Sequence, residues 1–185
     1  VAGTIYAIGE ALGTPFTPPE VATLAVQVEP SDSILFPGWT LFAHRDAAFH
    51  RPLGTPPPLA VVVLDPGGSV DTLAFNAVDR RAMLHRLASL HREAFALLEA
   101  GLAAGDATLV ARAATLSASA HQQILPNPLV DTALRLARQV GALGVCRAHS
   151  GTIVGLLCSP GDAAEMASWI AERLPGVLVR PHRCL

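Results

Sequence analysis

Val145-Cys146-Arg147-Ala148-His149-Ser150-Gly151-Thr152-Ile153-Val154-Gly155-Leu156-Leu157-Cys158 is the stretch whose reading decides the fold. Val145 to Ala148 and Thr152 to Cys158 have the apolar content of strands, and His149-Ser150-Gly151 has the small polar composition of a turn between them. Three helices are predicted ahead of this pair. From Asp79 to Ala100 the residues Met83, Leu87, Leu90, Ala94, Leu97 and Leu98 recur at helical spacing. Gly101 and Gly105 bound the next loop, Asp106 caps a second helix to about Gln122, and Leu129 to Val140 is a third, ending near Gly141 and Gly144. After the pair, Gly161-Asp162 opens a last helix to Leu174 and Val177 to Arg180 is a closing strand.

Toward the other end, the strongest strand is Leu59 to Leu64, set off by Pro56-Pro57-Pro58. The turn Asp65-Pro66-Gly67-Gly68 that follows lacks the G-x-G-x-x-G spacing of a dinucleotide site. Trp39 to Ala43 and His50 to Leu53 read as weaker strands. Thr17-Pro18-Pro19-Glu20 is a cap with prolines in the first turn, opening a helix to about Val28 that Pro30 ends. Val1 to Leu12 is a helix closed by Gly13, with Pro15 just beyond. Strands, then three helices, then strands around one helix is the order of an α+β protein, without regular βαβ alternation.

Composition narrows the function classes. Of 185 residues 51% are hydrophobic and 15% charged, which suits a packed core and excludes disorder. A net charge of −2 gives no electrostatic footprint for nucleic acid. The 13 basic residues are all Arg, so no lysine is present for Schiff-base or P-loop chemistry. Cys146, Cys158 and Cys184 are odd in number and widely spaced, which predicts free thiols in a reducing cytoplasm and neither a zinc site nor a disulfide framework. No apolar run approaches the roughly 20 residues of a membrane span.

Two segments set hydroxyl-bearing or charged residues in apolar surroundings: Val28-Glu29-Pro30-Ser31-Asp32-Ser33 and Ala148 to Gly155. A catalytic carboxylate and a phosphate-tolerant turn need such settings; a helix-ending turn and a hairpin turn would look the same. A third segment, Ala113-Ala114-Thr115-Leu116-Ser117-Ala118 running on to Leu125-Pro126-Asn127-Pro128, accompanies them. Together these residues, with Leu41-Phe42-Ala43-His44, resemble the GHMP small-molecule kinases, and most closely the L-threonine kinases of cobalamin biosynthesis. The match runs from about Thr23 to Leu157.

The resemblance implies a chain in two parts. Residues 1–75 would be the remainder of an N-terminal, ribosomal S5-like domain, and residues 76–185 a ferredoxin-like C-terminal domain with helices on an antiparallel sheet. It implies transfer of the ATP γ-phosphate to the hydroxyl of L-threonine, with Mg²⁺, in a cytoplasmic enzyme. The alternatives are another alcohol, such as homoserine or an isoprenoid precursor, and a non-catalytic α+β binding or regulatory domain. The kinases' proline-glycine segment and glycine-serine phosphate loop are not found in the chain. Val1, Ile5, Ile8 and Leu12 already form an apolar stripe with no cap before it. The expectation is that the loop and most ATP and Mg²⁺ ligands lie ahead of Val1, and that these residues alone bind ATP weakly and are inactive.

By the same resemblance Asp32 matches an aspartate in the substrate-side loop. An alcohol attacking phosphorus needs a group that accepts or orients its proton, and a carboxylate suits that role. Glu29 would hold the substrate ammonium, Ser31 and Ser33 would contact hydroxyls, and His149, Ser150 and Gly151 would form a loop near the substrate. That loop carries less glycine than the family motif, since Thr152, Ile153 and Val154 precede Gly155. No metal site is predicted: His85 and His91 are six residues apart on different helix faces, and His44 and His50 lack a ligand-type carboxylate pattern. His121 and His149 read as structural imidazoles within the matching segments. Arg147 reads either as a partner for the substrate carboxylate or as a solvent-facing strand residue.

Overall fold

The computed structural model describes residues 1–149 and 151–184, without the side chains of Thr72, Leu73 and Asn76. These residues fall into two units, Val1–Thr55 and Pro56–Leu185. In the first, α1 (Ala2–Ala11) and α2 (Pro18–Ala25) are followed by a 3-10 turn (Ser33–Leu35) and an antiparallel hairpin of β1 (Trp39–Phe42) and β2 (His50–Gly54). The start of α2 is set by its sequence: Glu20 Oε2 accepts from the Thr17 backbone N–H at 2.8 Å and from its hydroxyl at 2.7 Å, with prolines in the first turn. Val21, Ala22 and Leu35 form the small core, against which Ile5, Tyr6, Phe16, Phe36 and Phe42 pack.

The second unit holds β3 (Ala60–Asp65), α3 (Thr72–Ala77), α4 (Arg81–Ala104), α5 (Ala107–His121), α6 (Pro128–Val140), β4 (Gly144–Arg147), β5 (Val154–Cys158), α7 (Ala163–Ala171) and β6 (Leu178–Arg183). Its sheet runs β4-β5-β3-β6, with every neighbouring pair antiparallel. β3 and β4 are therefore parallel with β5 between them, and β5 and β6 are parallel with β3 between them. Two split βαβ units interleave, which is the ferredoxin-like topology. The domain boundary expected near residue 75 does not coincide with this division. β3 is hydrogen-bonded on both sides, by β5 and β6, so it is an inner strand of the second unit's sheet.

Alternation explains the main core. Ala60, Val62 and Leu64 of β3 face inward with Val145, Val154 and Leu156. Val130, Ala133, Leu136 and Ala137 of α6, and Ala163, Met166, Ala167 and Ile170 of α7, close over them. Each large side chain that is fully buried here, such as Leu64, Leu156 or Ile170, contributes roughly 1.5–3 kcal/mol. The exposed flank of β4 is covered by α5. Thr115 Oγ1 donates to Ala111 O at 2.9 Å and accepts from Val145 N–H at 2.8 Å, so a side chain satisfies an edge-strand donor. Gly144 permits this approach: a Cβ there would lie 2.4 Å from Ala111 O.

The thiols are free, with Cys158 buried and Cys146 and Cys184 half-buried. Burial raises all three, Cys146 to about 11. Among the described residues no helix is long and apolar enough to cross a membrane.

Candidate functional site

In the first unit the residues singled out by sequence stand together where α2 unwinds. Turns continue past Ala25, with Val28 N and Glu29 N both donating to Ala25 O, before Pro30 breaks the run. Ser31 N then donates to His44 O at 3.0 Å, tying this segment to the loop after β1. Ser31 Oγ donates to Glu29 O at 3.2 Å, and Ser33 O accepts from Phe36 N. Asp32 is the residue before the 3-10 turn, in extended conformation, and its side chain makes no capping bond. Its carboxylate is exposed, as is that of Glu29, while Ser31 and Ser33 are half-buried. The backbone is fixed and the carboxylate is left free to meet a ligand.

In the second unit the segment 148–153 joins β4 to β5, and Ala148 N donates to Ile153 O at 2.9 Å across it. His149 is exposed and Gly151 half-buried; Ser150 lies outside the described residues. Gly151 is not in the left-handed region. A Cβ at Gly151 would sit 3.1 Å from Ala148 Cβ.

The side chains around this turn are where sequence reading fell short. His121, the last residue of α5, is 6% exposed, and its Nε2 lies 2.7 Å from His149 O. The acceptor is a carbonyl, so Nε2 carries the proton and donates. Burial is the main reason its pKa falls from the ordinary 6.5 to about 4. The bond to His149 opposes the shift, and the charges of Arg147, His149 and His91 reinforce it. The His121 and His149 rings lie 4.8 Å apart, and Phe75 of α3 meets the His149 ring edge-on at 6.3 Å. Arg80 covers the other end of this stack, with its guanidinium 4.0 Å from the Phe75 ring centre.

Arg147 is neither of the two things its position in the sequence suggested. Its Nη1 donates to Gln122 Oε1 and to Leu125 O, both at 2.8 Å, and its Nε donates to Ala148 O at 3.3 Å. Its Nη2 is buried without a partner. A guanidinium committed in this way is a strut between β4 and the end of α5. No local signal links residues 22 to 28 positions apart in this manner.

Among the described residues no group of three or more His, Cys, Asp or Glu could hold a metal ion.

Residues 95–176 match the family model for the C-terminal domain of GHMP kinases. The chain is 31% identical over 175 residues to an L-threonine kinase of Salmonella typhimurium, covering 94% of this chain and 58% of that protein. It is 32% identical over 157 residues to an L-threonine kinase of Citrobacter freundii, covering 85% of this chain and 54% of that one. The chain thus spans somewhat over half the length of these relatives. The crystal structure of a homoserine kinase from Cytophaga hutchinsonii shares the fold, with a TM-score of 0.72 at 19% identity over 100% of this chain and 62% of its own. Residues 95–176 thus match the C-terminal domain of GHMP kinases, and the fold of the chain is that of a solved homoserine kinase.

Proposed function

We propose that the protein is an ATP-dependent kinase that transfers the γ-phosphate to the side-chain hydroxyl of L-threonine, giving O-phospho-L-threonine for cobalamin biosynthesis. The observation that carries this reading is the 31% identity to an L-threonine kinase, which extends over 94% of the chain and is not confined to the C-terminal domain. In this reading Asp32 accepts or orients the hydroxyl proton, for which its exposed, unbonded carboxylate on a fixed backbone is suited. Such a base contributes roughly 10²–10⁴-fold. Glu29 pairs with the substrate ammonium, Ser31 and Ser33 contact substrate hydroxyls, and the 149–151 turn borders the substrate. ATP and Mg²⁺ are the co-substrate and its ion, and the enzyme works on small molecules in the cytoplasm.

The test is a comparison of ATP consumption with threonine, serine and homoserine, using the complete polypeptide that the gene encodes and Mg²⁺. Threonine should give the highest kcat/KM. Preference for homoserine would replace the substrate, and no turnover with any of the three would sink the kinase reading. Residues 1–185 alone should bind ATP weakly in calorimetry; micromolar affinity would move the nucleotide site into this chain.

A further inference from the structure

We propose that His121 and Asn127 are positioning residues that fix the turn 148–153 by gripping a carbonyl near each of its ends. The catalytic consequence rests on the kinase reading; the grip itself does not. Among the described residues the turn's backbone is closed by a bond from Ala148 N to Ile153 O. His121 Nε2 takes His149 O at 2.7 Å, and Asn127 Nδ2 takes Thr152 O at 3.0 Å. The two donors come from opposite ends of one corner, the last residue of α5 and the cap of α6.

That corner is itself rigid. Asn127 Oδ1 accepts from Leu129 N at 3.0 Å, which orients the amide so that its nitrogen must face the turn. Gln122 closes a reciprocal pair with the Asn127 backbone, at 3.0 Å to its carbonyl and 2.9 Å from its N–H. Pro126 and Pro128 restrict the chain on either side. Arg147 joins Gln122 Oε1 and Leu125 O to β4. His121 serves as a donor because it is neutral and buried, its proton held on Nε2. The segment 113–128 that accompanied the turn in the sequence is therefore its mount, and a mount that holds a substrate-side loop in place spares the ordering cost at each turnover.

The test combines amide hydrogen exchange with kinetics in His121→Leu, His121→Gln and Asn127→Ser. Serine still caps α6 but cannot reach Thr152, and glutamine keeps a donor where His121 Nε2 stands. His121→Leu and Asn127→Ser should raise exchange in the turn at least tenfold, leaving the interior of β5 protected, and His121→Gln should stay close to the parent. With threonine as substrate, kcat/KM should fall in the first two variants and return in His121→Gln. Unchanged exchange in the turn, or a rise spread evenly over β4 and β5, overturns the proposal. If His121→Leu does not fold, Asn127→Ser decides alone. A parent protein without threonine kinase activity refutes the threonine kinase reading and leaves the exchange data to judge the grip.

Discussion

The segment around Asp32 and the turn after Arg147 are built in opposite ways. The first is held by backbone bonds, one of them from Ser31 N to His44 O, and the carboxylate at its centre is exposed and uncommitted. The second has two of its carbonyls bound by side chains 25 and 28 residues away. If Asp32 performs the chemistry, it must stay available to the ligand, and its own residue then contributes little to folding. If the turn shapes the site, its carbonyls are free to be committed to the protein. Substitutions in the first region should change rate without changing stability, and those in the mount of the second should loosen the turn and lower kcat/KM together.

The sharpest way to break this contrast is Asp32→Asn. In the complete enzyme kcat should fall by roughly 10²-fold or more with the KM for threonine little changed, and the melting temperature should not move. A raised KM with kcat intact would make Asp32 a binding residue instead. Next in size is Gly144→Ala, which forces a methyl group onto Ala111 O and Thr115 Oγ1. Overpacking of this kind costs about 1–3 kcal/mol, to be read from denaturant titration. Thr115→Val keeps the shape but strands the buried Val145 N–H, a loss of roughly 1–3 kcal/mol in the same assay.

His121 adds a pH dependence. His121 binds its proton near 4 in the folded chain and near 6.5 when unfolded, so between these values the unfolded chain takes up a proton that the folded one refuses. Stability should be level above 6.5 and decline as pH falls from there toward 4. Subtracting the curve of His121→Gln isolates the contribution. Parallel curves for the two proteins would mean that His121 is far less buried than its surroundings indicate.

Much of the frame was legible because it is written in local chemistry. Asp106 marks its helix by capping, as expected, its side chain accepting from Thr108 N and Leu109 N. Gly141 ends α6 in left-handed conformation, as its position implied, whereas α4 runs past the expected end at Ala100, takes Gly101 into the helix and stops at a left-handed Gly105. The six-residue α3 escaped notice because it is too short for periodicity, although Asp71 caps it by accepting from Ala74 N. Pro56-Pro57-Pro58 was read as a strand spacer, and yet the division between the units falls there, ahead of the boundary near 75. The partnership of β3 with β5 and β6 is non-local, and sequence spacing carries no trace of it. Neither did it reveal that His121, Arg147 and Asn127 converge on one turn, since each alone reads as an ordinary helix-end or strand residue.

The three thiols have a practical consequence. Reactivity belongs to the thiolate, and burial works against ionisation at Cys146, Cys158 and Cys184 alike. With Cys146 at about 11, roughly one molecule in 10⁴ carries a thiolate there at pH 7. The native chain is therefore a quiet background for alkylating labels near neutrality. Ser31→Cys or Ser33→Cys would place a thiol beside Asp32, so that a fluorophore or spin label could be attached there against natural cysteines whose ionisation burial disfavours.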